Sequence, residues 1–304
     1  MSHFRTNYIV NAVDNENTKN LQSDQWRAYQ LLKSQVRDGH PMKQFATGNL
    51  ETLKASPEAA GLDMRELLLD FHAKYYSSNT MKVCIYGKAT LDAQQAWAEK
   101  KFGAIVNKEL TVPQVPSDAF PSSCLRKKLT VVPVKDNKSL ELLFPMPSQR
   151  PLFRSAPCSY LSHLIGHESS GSVLAALKAA GLANGLSCGL HCDYASFAVL
   201  AVTIDITDEG LARLDEVIEC FFAYVGLLRS AGPQEWIWKE SKELSDMYFR
   251  FLPKSSPSSC CLGIASNMHL YPKELSLSGA MLQYEMDLQQ VSQALENVRP
   301  ENAL

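Results

Sequence analysis

Long apolar runs are missing from this chain. No stretch approaches the ~18–20 residues that a helix needs to cross a bilayer. The N-terminus also lacks the apolar segment of a secretory signal. An excess of one charge is missing too: the net charge is −2, which leaves no basic footprint for nucleic acid or an anionic membrane. The eight cysteines (84, 124, 158, 188, 192, 220, 260, 261) include no C-x-x-C pair, so the common zinc-ribbon and dithiol motifs are excluded. Without a secretory signal, reduced thiols and a cytoplasmic location are the expectation. G-x-G-x-x-G and Walker loops are absent. The serine-rich HESSGS (167–172) has no base at a known spacing.

The length is more than one average domain needs, and two domains are expected. Residues 10–36 read as one polar helix, followed by a loop holding Gly39, Pro41 and Gly48. Asp63 with Glu66 is a capping signature that opens a helix through Leu67, Leu68, Phe71 and Tyr75. MKVCIYG (81–87) predicts a strand, and residues 90–103 a helix. The proline- and serine-rich stretch 112–123 reads as a linker. Beyond it, 129–134, 140–146 and 197–206 predict strands. Asp208 opens an amphipathic helix striped by Leu211, Leu214, Ile218, Phe221, Phe222, Val225 and Leu228, and another helix spans 234–251. The fold class expected from this order is α+β, with sheet on one side and helices on the other.

Two histidines, His163 and His167, stand four apart, the spacing that aims two imidazoles the same way on a helix. Between them, at the place of a base, is Gly166, and Glu168 lies outside the pair. A structural or surface role is expected for both. His40, His72 and His269 sit among apolar or aromatic neighbours and read as packing or surface residues.

VNAVDNENTKN (10–20) followed by LQSDQWRAYQLL, then HPMKQFATGN (40–49), LLLDFHAKYYSSN (67–79), YLSHLIGHESSGS (160–172), AGPQEW (231–236) and VRPENAL (298–304) fall in the order found in one family. The chain resembles the insulysin- and nardilysin-type zinc endopeptidases of the pitrilysin-like, inverted-motif family. The resemblance runs from Val10 to Leu304, and MSHFRTNYI before it is unlike the family, which has a glutamate where Ile9 stands. It implies two pitrilysin-like α/β sandwich (roll) domains, both incomplete. Residues 1–115 would be the C-terminal part of the first, zinc-bearing domain, and 116–304 most of a second, degenerate domain.

In the family, an H-x-x-E-H helix supplies two zinc ligands and the base, and a later helix supplies a third ligand, a glutamate. Glu16 occupies that third position here, and Asp14, Asn17 and Asn20 flank it. Only 15 residues precede Glu16, so the motif helix is not in this sequence. The expectation is a fragment or isoform of a larger enzyme, with Zn2+ in the full-length parent, none bound by this chain alone, and no catalytic residue here. The resemblance further implies an exosite at His163, His167 and Gly171 and along LSCGL (Leu186, Ser187, Cys188, Gly189, Leu190). There an extended peptide substrate would pair with an edge strand. One of Ser187 and Gly189 is expected to turn its N–H outward. Peptide substrates are the expected partners, with a homologous peptidase subunit as a second. The alternative reading is a non-catalytic peptide-binding or regulatory homologue.

Overall fold

The computed structural model describes residues 2–304, with side chains from Tyr8 onward. Of the atypical MSHFRTNYI opening, Met1 and the side chains of residues 1–7 therefore lie outside the described residues. The chain forms two compact units, one of Met1–Gln114 with Ser256–His269 and the other of Val115–Ser255 with Leu270–Leu304.

The first unit holds helices α1 (Ser2–Asn20), α2 (Asp24–Ser34), α3 (Ser56–Ala59), α4 (Met64–Tyr75), α5 (Leu91–Phe102) and α11 (Pro257–Leu270). The single helix predicted over 10–36 is two. The chain turns at residues 21–22, and the Ser23 hydroxyl caps α2 by accepting from Trp26 N. Ser23 competes for backbone donors, which is why serine favours a cap over a helix interior. Asp63 caps α4 as the sequence predicts, accepting from Arg65 N at 2.7 Å and Glu66 N at 3.3 Å. Segment 81–87 departs from expectation: it joins no ladder among the described residues. A β-branched run favours extended backbone, yet a strand needs a neighbour for its N–H and C=O groups. The same unit leaves two of its helices uncovered, since neither α4 nor α5 has a buried residue. Leu68, Phe71 and Trp97 are each 54% exposed, so apolar stripes that would normally define a core lie open.

The second unit is built the opposite way. Three antiparallel strands, β1 (Ser139–Pro147), β2 (Ala183–Asp193) and β3 (Phe197–Ile206), lie in the order β1-β3-β2. Helices α6 (Pro157–Ile165), α7 (Val173–Ala179), α8 (Asp208–Ala212), α9 (Leu214–Ala231), α10 (Glu235–Arg250) and α12 (Leu288–Leu295) complete it. Register places Leu142 and Cys188 on either side of Val202, and Phe144 and Leu190 on either side of Leu200. Because side chains alternate, these rows share one face of the sheet. That face packs on Tyr160, Leu161 and Ile165 of α6, Leu174 and Leu177 of α7, and Phe221 of α9. The opposite face carries Glu141, Ser187 and Thr203, which explains the one-sided alternation along β1.

Several details differ from the sequence reading. Residues 129–134 join none of the described ladder. The helix beginning at Asp208 is capped one residue earlier, by Thr207 Oγ1 accepting from Gly210 N at 2.9 Å. It breaks at Arg213, whose backbone leaves helical geometry (φ −115°, ψ 42°). The buried stripe of α9 is Val217, Phe221 and Val225. The presumed linker is partly packed: Ala119 is buried, and Phe120 meets Phe197 edge-on at 5.9 Å. Among the described residues, no helix is long and apolar enough to cross a membrane.

Candidate functional site

Glu16 lies on the exposed side of α1. The opposite side of the helix is what fixes it. Asp14 Oδ1 accepts from Leu50 N at 2.9 Å, and Asn17 Oδ1 accepts from Thr47 Oγ1 at 3.3 Å. Val13 packs so close to Gly48 that a Cβ there would sit 3.2 Å from its methyl carbon and 2.6 Å from Leu53. Residues 40–50 are thus a cradle for α1, and the buried His40 shapes that loop by accepting from Met42 N through Nδ1. Asp14 and Asn17, flanking residues in the sequence, hold the helix to its loop. Zinc needs three protein ligands converging on one point. The described residues contain no group of three or more His, Cys, Asp or Glu side chains that could hold a metal ion. The donor set around Glu16 does not fit zinc.

His163 lies on α6, but that helix ends at Ile165 with Gly166 as its cap, so His167 is beyond it. The two imidazole rings are 5.5 Å apart and tilted by 48°. The helical i, i+4 geometry suggested by the spacing is therefore not realised. Glu168 turns away to Lys178 at 3.8 Å. Gly171 takes φ +88°, a left-handed conformation for which glycine has no steric penalty. This turn places Ser172 to cap α7, its hydroxyl accepting from Ala175 N at 3.1 Å.

Leu186–Leu190 lies on β2, an edge of the sheet. The direction of its backbone groups follows from two bonds at the end of β3. Thr207 N donates to Leu182 O at 3.1 Å, and Ile206 N donates to Lys138 O at 3.0 Å. Odd-numbered residues of β3 therefore face β2 and even-numbered ones face β1. Ser187 stands opposite Thr203 and Gly189 opposite Ala201, so both spend their backbone groups on the ladder. The expectation that one of them turns its N–H outward is overturned. Leu186, Cys188 and Leu190 present theirs instead.

Among the described residues, no backbone hydrogen bond outside the sheet reaches those three. The other edge is closed: Leu304 N donates to Leu143 O at 2.9 Å, and Asn302 Nδ2 to Pro145 O at 2.7 Å. Gly166 lies beside the open edge, where a Cβ would come within 3.6 Å of Cys188 N and 2.8 Å of Ser162 O. The HLIGH segment and the LSCGL strand therefore meet, bringing His163 and His167 to the same end of the sheet. The sequence reading missed Tyr224, whose hydroxyl donates to Leu164 O at 3.1 Å. It lies in none of the segments that carry the family resemblance.

Burial pushes the Cys188 and Cys158 thiols up to about 12 and Cys192 to about 11. These thiols stay protonated at neutral pH and offer no nucleophile. What the surface offers is backbone: three outward N–H and three outward C=O groups on one strand.

The family model described as "Peptidase M16 inactive domain" matches residues 63–245. The chain is 39% identical over 293 residues to insulin-degrading enzyme of Homo sapiens, covering 96% of this chain and 29% of that protein. It is 40% identical over 301 residues to the A-factor-processing enzyme of Saccharomyces cerevisiae, covering 98% and 29%. The crystal structure of pitrilysin superposes with a TM-score of 0.92 at 30% identity, covering 98% of this chain and 32% of that one. This chain thus spans less than a third of the length of these relatives. With the α+β fold shared with pitrilysin and the family match across the middle of the sequence, the chain belongs to the M16 peptidase family.

Proposed function

We propose that this chain is the peptide-anchoring portion of an insulysin-like zinc metalloendopeptidase and is catalytically silent by itself. The observation that carries the reading is the open edge of β2, where Leu186, Cys188 and Leu190 turn their backbone groups outward. An extended peptide adds to such an edge through main-chain bonds, with little demand on its sequence. In the whole peptidase, residues 1–115 would be the C-terminal part of the zinc-bearing domain and residues 116–304 most of the degenerate one. Glu16 would then be the third ligand of the parent enzyme's zinc. The uncovered apolar faces of α4 and α5 and the unladdered segment 81–87 support this reading, because they suit helices and a strand that belong to a larger sheet. His163, His167 and Gly171 would shape the end of the anchor. A cytoplasmic setting and peptide substrates complete the proposal.

The second reading is a non-catalytic peptide-binding or regulatory homologue that docks on a full-length peptidase. It is favoured by the second unit, which builds a continuous core of its own. An in-frame H-x-x-E-H run in the transcript upstream of Met1 supports the first reading, and a promoter there supports the second.

Both readings are tested by fluorescence anisotropy of a labelled extended peptide, with mass spectrometry to detect cleavage. Net gains of roughly 0.5–1.5 kcal/mol per hydrogen bond limit one short strand pairing to about micromolar affinity. Leu190→Pro removes an outward N–H and should weaken binding, whereas Leu190→Ala should not. Equal binding by wild type and Leu190→Pro refutes the anchor.

A further inference from the structure

We propose that the cavity between residues 117–120, the end of β1 and the start of β3 is a binding site for a primary ammonium group carried on an unbranched apolar stem. The cavity measures about 350 Å³ and lies wholly within the second unit. The proline- and serine-rich segment before β1 supplies one of its walls. Phe120 from that segment meets Phe197 edge-on at 5.9 Å. Pro145 and Pro147 complete the apolar lining. They alternate along β1 with the core residues Phe144 and Met146, so they project from the outer face of the sheet, and Pro147 is the register partner of Phe197.

Three side-chain oxygens set the chemistry. Ser196 Oγ is buried and has no hydrogen-bond partner among the described residues. Buried hydroxyls are normally paired, and this orphan belongs to the cavity wall. Asn297 commits its side-chain N–H groups to Gln293 O at 3.0 Å and Ala294 O at 3.4 Å, so what it adds to the lining is an acceptor oxygen. Asp118 is exposed and brings a carboxylate to the mouth. The lining includes no Lys, Arg or His, so its charge is negative and an anion is disfavoured. The Pro145 carbonyl is already engaged, accepting from Asn302 Nδ2 at 2.7 Å.

An ammonium carries three donors, which matches three acceptors, whereas a guanidinium brings five in a rigid plane. The stem lies along Phe120, Phe197 and the two prolines while the charged head keeps to the wet mouth, as lysine side chains do when they bury their methylenes. A neutral apolar ligand would cover the Asp118 carboxylate and leave the Ser196 hydroxyl unpaired, and both are penalised. The site is separate from the peptide anchor. It is built on β1 and β3, whereas the anchor is the edge of β2 on the far side of β3. Failure of either one leaves the other standing.

The test is an NMR titration of the nitrogen-labelled full chain that follows the amides of Ser196, Phe197 and Asn297. The probes are pentylamine, N-acetyl-lysine amide and N-acetyl-norleucine amide. For ligands this small, a Kd of about 1 mM is expected. Pentylamine and the lysine derivative should shift the same amides, and the tighter of the two tells whether a free amine or a lysine side chain is the better ligand. The norleucine derivative, which lacks the ammonium, should bind about fivefold more weakly than the lysine one, and added salt should weaken the amines. Asp118→Asn should weaken pentylamine about fivefold. Ser196→Ala should weaken it about threefold without lowering the Tm of the free chain, because it removes an unpaired hydroxyl. Equal binding of the lysine and norleucine derivatives overturns the proposal. So does wild-type affinity in Asp118→Asn with an unchanged melting curve, or the absence of shifts at the three amides with pentylamine at about tenfold the expected Kd.

Discussion

Replacing Gly210 by alanine would place a methyl carbon 2.0 Å from the Leu182 carbonyl oxygen and 3.3 Å from Ile206 Cβ. The first contact is far inside van der Waals range, and the obstructing atom is backbone, so α8 or the start of β2 must move by more than 1 Å (roughly). Overpacking of this kind costs about 1–3 kcal/mol. The same carbonyl accepts from Thr207 N at 3.1 Å, so the movement also weakens a bond that fixes the β2–β3 register, adding roughly 0.5–1.5 kcal/mol. For a unit of this size, each kcal/mol lowers Tm by about 2–4 °C, which gives a fall of roughly 3–18 °C. Gly189→Ala is the control: it lies on β2 with nothing within 4 Å of its Cβ position, so its effect should stay within about 0.5 kcal/mol. Thermal unfolding followed by circular dichroism measures both. Hydrogen exchange of residues 197–206 confirms that the second unit is the one affected. Equal melting of the two variants would refute the close-approach reasoning.

Phe221→Ala should destabilise by about 3–5 kcal/mol in urea titrations, because the ring is fully buried against Phe144 and Phe222. Phe71→Ala on the open face of α4 should change stability by under about 0.5 kcal/mol, and a loss as large as that of Phe221→Ala would contradict the absence of a core there. The purified, dialysed chain should contain well under one zinc per molecule by elemental analysis. Stoichiometric zinc lost on Glu16→Gln or on His163→Ala would show a metal site that the donor arrangement does not support. For Cys158, whose thiol is raised by burial to about 12, the native state holds its proton more tightly than the unfolded state. Stability should be level below the ordinary thiol pKa and fall as pH rises from about 9 toward 12, since the unfolded chain binds fewer protons there. Urea midpoints in reductant at pH 7.5 and 10.5 measure this, and Cys158→Ala should show a smaller drop; a rise with pH would reverse the sign of the argument.

The second unit was largely legible in the sequence because its signals are local and its sheet and helices bury one another. FAVLAVTIDI is apolar on both sides of its alternation, and it became the central strand. Asp63 displayed its cap within three residues. The failures share one cause. MKVCIYG has the composition of a strand, but a ladder is a property of two segments, and its composition says nothing about a neighbour. His163 and His167 have helical spacing, but spacing does not reveal that Gly166 ends the helix between them. The direction of backbone groups on β2 was equally hidden, since Ser187 and Gly189 resemble exposed strand residues. Only the hydrogen bonds of Thr207 and Ile206 decide which residues face outward. Glu16 was recognisable through its surroundings by family resemblance alone; its tie to residues 40–50 through Asp14 and Asn17 has no pattern in the sequence.

The anchor is tested most directly by amide hydrogen exchange resolved residue by residue on β2, with and without a saturating extended peptide. In the free chain, Ser187 and Gly189 should be protected by their bonds to β3, while Leu186, Cys188 and Leu190 exchange faster. On adding peptide, those three amides should slow together, and those of Ser187 and Gly189 should change little. Unchanged exchange at all three amides, or protection appearing only elsewhere on the second unit, would contradict the account.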